Sequence, residues 1–345
     1  MEFHKRETEH VLVTGGGGFL GKAVVKKLVS RGYRVTSFSR NYYPKLDALG
    51  VRQIQGDIRD VTAVDQAVKN HELVFHVAAL PGVWGDYDAF YGINTKGTLN
   101  ILAACLTHKV PRLIYTSSPS VVFDGSDMEG IDESAPYPDH YEAAYPETKA
   151  LAEKAVRAAG QVTDGKGLAT ISLRPHLIWG PGDNHLVPRI LARARRLRRV
   201  GTGENRVDTI YIDNAADAHI LAADRLKNQP DLSGKVYFIS QGAPIRLWEM
   251  VDRILAAGNK PPVRKTISAK AAYRLGAVME WIYRGARLQG EPPMTRFMAR
   301  ELATSHWFNI EAAKKDLGYQ PQMTLEEGLK QLAESLKRLT VHRRT

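Results

Sequence analysis

The 345-residue chain contains a single cysteine, Cys105. One thiol excludes an intramolecular disulfide and any cysteine-built metal cage, and it makes a reducing compartment the expectation. No apolar run approaches the roughly 18 residues that read as a membrane span. The opening MEFHKRETEH is charged and has no apolar stretch of the kind a secretory signal carries, so the expected location is the cytoplasm. There is no internal repeat and no low-complexity segment.

What is present is ordinary for a globular chain: 43% hydrophobic and 25% charged residues. The length suits one large α/β domain or a large domain with a smaller companion. The net charge of +11 is unevenly spread. Six arginines crowd VPRILARARRLRRV (187–200), and Lys337, Arg338, Arg343 and Arg344 close the chain. Such clusters form solvated helix faces and tails, or meet acidic substrates, acidic partners or membrane surfaces. No nucleic-acid-binding module accompanies them, so no nucleic-acid partner is expected.

Short apolar runs alternate with helical periodicity. HVLVTG (10–15), YRVTSFSR (33–40), VRQIQGD (51–57), ELVFHVAA (72–79), PRLIYTSS (111–118) and LATISLRP (168–175) read as strands. GKAVVKKLVSRG (21–32), NTKGTLNILAACLTHKV (94–110) and AYPETKALAEKAVRAAG (144–160) read as helices. This alternation predicts an α/β fold with a Rossmann-type, doubly wound parallel sheet. Beyond residue 180 glycine and proline loosen the pattern. The expected organisation is a dinucleotide-binding domain over 9–180. A smaller substrate-binding lobe over 181–340 would return elements to the main sheet, among them the strand VYFIS (236–240).

The first strand runs into GGGGFLGKAV, with Gly15, Gly18 and Gly21 at G-x-x-G-x-x-G spacing and Phe19 and Leu20 between the last two. Between a strand and a helix these glycines let the backbone approach a pyrophosphate at the helix N-terminus. The second strand ends in Ser39 and Arg40, where an acid would read a free ribose 2′-hydroxyl. With the acid replaced and a guanidinium beside it, NADP(H) is the expected cofactor and NAD(H) the alternative. Asp57 and Ile58 end the third strand. Asp57 suits either the adenine amino group or an N-cap of the next helix, and Ile58 suits the adenine face. Ala78 and Ala79 are small enough for the cofactor to lie against the backbone.

Ser118 stands at the end of the fifth strand, where ligands of open α/β sheets bind. Tyr145 and Lys149, four apart, share one helix face. Taken alone, that pair is equally a surface aromatic beside a solvated lysine. Together, the glycine trio, the Ser118 strand end and Y-x-x-x-K resemble the extended short-chain dehydrogenase/reductase family. HVAALPGVWG, TSSPSVVF, LRPHLIWGPGDNHLVPR, YIDNAADAH and EPPMTRF resemble its 3β-hydroxysteroid dehydrogenase-like branch. The resemblance implies an oxidoreductase in which Tyr145 is the proton donor and Ser118 bonds the substrate oxygen. Lys149 would tune the phenol and hold the nicotinamide ribose. It further implies a homodimer, no metal, and an apolar substrate. The implied reaction is reduction of 2-alkyl-3-oxoalkanoates in long-chain olefin biosynthesis, with 3β-hydroxysteroid or sterol-4-carboxylate dehydrogenation as the rival. More distant alternatives are sugar-nucleotide epimerisation or dehydration and a non-catalytic NADP-binding sensor.

Other residues keep open readings. His76, inside an apolar strand, is expected to be a satisfied core histidine. Asn94 is placed as a helix N-cap or a site-shaping residue. His176, Asp183 and His185 are poorly spaced for a metal. Arg174 and Pro175 lie near the expected nicotinamide or pack structurally. Trp84, assigned to the substrate pocket, and Tyr87 line that pocket or merely pack their loop. Arg189 or Arg193 offers a charge to a substrate carboxylate. The segment 268–288 is a core-facing helix, a lid, or an interfacial helix for a membrane or a partner enzyme.

Overall fold

The computed structural model describes residues 9–161 and 167–342. The basic tail residues Arg343 and Arg344 lie outside them. Seven parallel strands make the central sheet: β1 His10–Thr14, β2 Arg34–Ser39, β3 Arg52–Gln55, β4 Leu73–His76, β5 Arg112–Thr116, β6 Ala169–Pro175 and β7 Lys235–Ile239. Their spatial order is β7-β6-β5-β4-β1-β2-β3. The chain winds outward from β1 to β3, then crosses back to β4. The carboxyl edge between β1 and β4 is therefore a topological switch point, where such sheets bind ligands.

Both faces are covered, which explains the near-continuous apolar strands. All four residues of β4 are buried, as are Arg112 to Tyr115 in β5. Helix Phe19–Ser30 covers one face beside Ile212–Asn228, which packs through small side chains such as Ala215, Ala218 and Ala222. Helices Val61–Val68, Gly97–Thr107 and Ala144–Gly160 cover the other.

Ala144–Gly160 turns Thr148, Lys149, Ala152, Glu153 and Val156 inward. Pro146 lies in its first turn, where an amide would have no intrahelical acceptor. Glu153 meets Arg174 at the end of β6 in a bidentate pair, Nε–Oε2 2.9 Å and Nη2–Oε1 2.6 Å. Both side chains are fully buried. Tyr137 also donates to Glu153, at 2.6 Å. Burial opposes ionisation of Glu153, but the Arg174 hydrogen bonds and charge prevail and hold it below the usual carboxylate range. Arg174 is thus a structural residue of the helix–sheet contact.

The chain does not divide cleanly in sequence. β7 returns from the second half to extend the main sheet. Conversely, Met128–Ile131, from the first half, pairs with His306–Phe308 in a small four-stranded sheet. Ring stacking of Phe238 in β7 on Phe308, centroids 4.4 Å apart, locks the two sheets together.

Helix Ala269–Gly285 faces inward through Ala272, Gly276 and Glu280, and it seats the short helix Arg296–Glu301. A Cβ on Gly276 would lie 2.5 Å from the Thr295 backbone, so this approach requires glycine. Its outer face exposes Leu275, Val278 and Trp281. Among the described residues no helix is long and apolar enough to cross a membrane.

Removing one partner of a buried pair leaves an uncompensated charge, which costs about 3–5 kcal/mol. Glu153→Leu is expected to lower unfolding stability by about that amount, read as a lower urea midpoint. The double variant Glu153→Leu/Arg174→Met should recover most of the loss, since both charges leave together. Equal midpoints for Glu153→Leu and wild type would contradict this account of the contact.

Candidate functional site

A cavity of about 690 Å³ runs along the carboxyl edge of the sheet. At one end is the glycine turn. Gly15 has φ +70°, and a Cβ there would lie 3.0 Å from the backbone of Ala78. A Cβ on Gly21 would fall 2.1 Å from the carbonyl oxygen of Gly15. Gly18 caps the helix without a side chain, and no acid occupies the first turn. Free amides, a favourable dipole and no competing carboxylate suit an anion. The backbone is therefore shaped for a dinucleotide pyrophosphate, with Phe19 and Leu20 beside it on the cavity wall. Tyr43, which sequence reasoning did not single out, covers the same turn. Its ring stands where a Gly17 Cβ would be.

Ser39 and Arg40 line the same end, with Asp57 and Ile58 across from them. Arg40 is exposed, and among the described residues it holds no ion pair. Asp57 is not the cap of the following helix. Asp60 fills that role, accepting from the amides of Thr62 and Ala63. Asp57 instead takes Arg59, through its amide at 2.9 Å and its guanidinium at 3.0 and 2.7 Å. The β3 end has three acid-or-base side chains in four residues, and only the folded turn distinguishes them.

A hydrogen-bond relay fixes the backbone facing the turn. Thr98 donates to the Asn94 carbonyl at 2.6 Å, so its hydroxyl accepts from His76 Nε2 at 2.9 Å. His76 Nδ1 then accepts from Thr14, at 2.7 Å. The Thr14 oxygen in turn accepts from the amides of Val77 and Ala78. This assignment of the tautomer follows from the network. Burial, with a smaller effect of the Lys149 charge, pushes His76 down to about 3. It is a neutral core histidine.

Asn94 is not an N-cap. The helical stretch begins earlier, at Tyr87–Phe90, and passes through a π-turn, Tyr91–Lys96, before Gly97–Thr107. Within that turn Asn94 accepts from the Leu80 amide at 2.8 Å and donates to the Leu80 carbonyl and Thr148 Oγ1. It ties the loop after β4, including Ala79 on the cavity wall, to the helix that carries Tyr145 and Lys149.

At the centre of the cavity stand Ser118, Tyr145 and Lys149. Lys149 is buried, donates to the Thr116 carbonyl at 2.6 Å and lies 4.2 Å from the centroid of the Tyr115 ring. The Thr116 hydroxyl donates to His219 Nε2, whose Nδ1 donates to the Ala215 carbonyl. The Thr116 carbonyl thus holds the lysine while its hydroxyl anchors the strand end on His219. Burial lowers Lys149 to about 7, against the pull of Glu153. Burial raises Tyr145. The Ser118 hydroxyl works the other way and the Glu301 charge adds to the rise. In the protein's own field the phenol is therefore a proton-carrying group at neutral pH. Ser118 Oγ lies 2.9 Å from Ser120 Oγ, a partner not foreseen, at the start of the turn Pro119–Val122. Ser117 is buried.

The far wall comes from the second half of the chain: Phe297 and Glu301, His306, His185 and Arg189, with Met128 from the strand between the lobes. Arg189 lines the cavity and Arg193 does not. Both reach Glu291, at 2.5 and 3.9 Å. Asp183 accepts from the amides of His185, Leu186 and Val187, and His176 Nδ1 donates to the Asp208 carbonyl. Trp84 is not on the cavity wall. It packs edge-on to Tyr283 and under Arg284, joining its loop to helix Ala269–Gly285. Tyr87 donates to Glu147 and stacks on Tyr91. Glu301 carried no local signal and Phe297 entered only as the last residue of EPPMTRF, because only the seating of their helix turns them inward.

The 3-beta hydroxysteroid dehydrogenase/isomerase family matches residues 12–266. The chain is 50% identical to a 2-alkyl-3-oxoalkanoate reductase of Stenotrophomonas maltophilia, over 94% of this chain and 98% of that one. It is 34% identical to a sterol-4-alpha-carboxylate 3-dehydrogenase, decarboxylating, of Mus musculus, over 95% and 91% of the respective chains. Among solved structures, gox2253 superposes with a TM-score of 0.77 at 26% identity, covering 98% of this chain and 100% of that one. MoeE5 in complex with UDP-glucose and NAD gives 0.75 at 24% identity, covering 96% and 99%, a likeness of fold.

Because the Gly21 approach leaves no room for a Cβ, Gly21→Ala must displace the turn. Fluorescence titration with NADPH is expected to show at least tenfold weaker binding; unchanged affinity would remove this turn from the binding site.

Proposed function

Because the chain belongs to the 3-beta hydroxysteroid dehydrogenase/isomerase family and is an NAD(P)-dependent oxidoreductase, we propose that it reduces a 2-alkyl-3-oxoalkanoate to the 2-alkyl-3-hydroxyalkanoate with NADPH. The observation that carries this reading is the continuity of one cavity from the glycine turn to Ser118, Tyr145 and Lys149. The choice of substrate rests on half-identity to the bacterial reductases, against one-third to the sterol dehydrogenases. The step fits long-chain olefin biosynthesis. We place it in the cytoplasm, in a homodimer.

Held by the glycine turn and Lys149, a dihydronicotinamide cofactor would supply the hydride for C3. The protein's part is to position the ketone and to provide the proton. Ser118 donates a hydrogen bond to the 3-oxo oxygen as it gains negative charge. Tyr145, kept protonated by burial, passes its phenolic proton to that oxygen. The Lys149 ammonium, fixed on the Thr116 carbonyl, would stabilise the phenolate that remains and hold the ribose hydroxyls of a bound cofactor. The preference for NADP(H) over NAD(H) rests on Arg40, exposed and without an ion pair where the 2′-phosphate would lie.

NADPH oxidation should be followed with β-keto acids, β-keto esters and sterol ketones. Consumption with the keto acids is expected, and activity confined to sterols would overturn the substrate. Tyr145→Phe is expected to lower kcat by about 10²–10⁴ while NADPH still binds; near-normal turnover removes Tyr145 from the mechanism. Arg40→Ala should raise KM for NADPH and leave that for NADH nearly unchanged. A wild-type preference for NADH would contradict the cofactor assignment.

A further inference from the structure

One carboxyl on the cavity wall has no role in the chemistry described so far. Glu301 is the last residue of helix Arg296–Glu301 and lines the cavity that holds Tyr145. The helix is held firmly. Thr295 caps it, Arg296 pairs with Glu280 at 2.9 Å, and Arg300 pairs with Glu142 at 3.1 Å. Both arginines therefore point away from Glu301. Among the described residues no hydrogen bond or ion pair engages its carboxyl.

The groups around it do not supply a counter-charge. From the catalytic helix come Tyr145 and Lys149, the latter held on the Thr116 carbonyl. His306, from the small sheet, and His176, after β6, are pushed by burial to about 3 and about 4, so both are neutral at pH 7. From Leu186–Arg193 come His185 and Arg189, the arginine committed to Glu291. Asp183 is spent on backbone amides. On the supporting helix, Tyr273 bonds Glu142, and Glu280 is taken by Arg296. The position at the C-terminal end of a helix also disfavours a negative charge. Burial pushes Glu301 up to about 7.

Such a group changes character across neutral pH. Protonated, it is a hydrogen-bond donor facing the substrate space; ionised, it places a second negative charge there. The proposed substrate carries its own carboxylate two carbons from the ketone. Two carboxyl groups in one site share a proton more readily than they hold two charges. Resting on the keto-acid reading above, we propose that Glu301 is a specificity-determining residue. In its protonated form it donates a hydrogen bond to the substrate carboxylate, and in its ionised form it excludes that anion. A neutral ketone or ester lacks this charge clash and meets the change only through Tyr145, an effect the acid shares. Binding of the acid therefore draws a proton onto the protein.

The test compares a β-keto acid with its methyl ester from pH 6 to 8. Lys149 also titrates near 7 and is retained in Glu301→Gln, so the difference between wild type and that variant in the acid-to-ester ratio of kcat/KM isolates Glu301. With a group near pH 7, wild type should lose about tenfold in that ratio across the range. Glu301→Gln, a donor that cannot ionise, should hold the ratio flat and near its low-pH value. Glu301→Leu should give a flat, low ratio. Calorimetric binding of the 3-hydroxy acid at pH 8, in two buffers of different ionisation enthalpy, should show proton uptake in wild type that is clearly reduced in Glu301→Gln, where only Lys149 remains to take a proton. A flat wild-type ratio, a ratio that falls as steeply in Glu301→Gln, or proton uptake in wild type no greater than in Glu301→Gln overturns the role of Glu301. Turnover of acid and ester with the same profile leaves the keto-acid reading standing and overturns Glu301 alone, whereas turnover of neither overturns both.

Discussion

The site depends on the buried fork between Arg174 and Glu153. It joins the carboxyl end of β6 to the helix that carries Tyr145 and Lys149, one turn below the lysine. A helix lying on a sheet can slide by a residue or rotate by tens of degrees at little cost when the contact is made only of small apolar side chains. Ala152 and Val156 would permit that. Two parallel hydrogen bonds between fully buried charges do not, because any displacement strands both. The lysine then reaches one carbonyl, that of Thr116, and the phenol faces one place in the cavity.

The same economy governs protonation. Tyr145, Lys149, His76, His176 and Glu301 are all shifted, and for each the largest cause is burial. The cavity disfavours charge whatever its sign, so each group tends towards its neutral form. A neutral phenol and a neutral carboxylic acid are both donors. The centre of the site is thus rich in hydrogen-bond donors for an oxygen that becomes negative, and the cation among its three central residues, Lys149, is near its titration point.

Much of this was legible in the sequence where the signal is local. The strands of the main sheet, the glycine turn and the Tyr145–Lys149 spacing are each written in a few contiguous residues, and helix Ala144–Gly160 has the bounds that its pattern predicts. Signals that depend on a distant partner were misread or silent. Asp57 and Asp60 are equivalent as letters, and only the turn decides which of them caps Val61–Val68. Asn94 looked like a helix start because the π-turn is invisible to a periodicity of 3.6. Trp84 has the composition of a pocket residue, yet Tyr283 and Arg284, some 200 residues away, take its ring. Glu301 belongs to a six-residue helix whose orientation is set by the glycine seat at Gly276.

The π-turn Tyr91–Lys96 has a wider meaning. A π-turn holds one residue more than the α-turn it replaces, so every side chain after it is rotated by about a quarter turn relative to those before. Within that dislocation Asn94 grips Leu80 and Thr148; just beyond it Thr98 closes the relay to His76. The turn is best regarded as a splice: Asn94 inside it pins the loop after β4 to the catalytic helix, and the α-helix that resumes beyond it delivers Thr98 to His76.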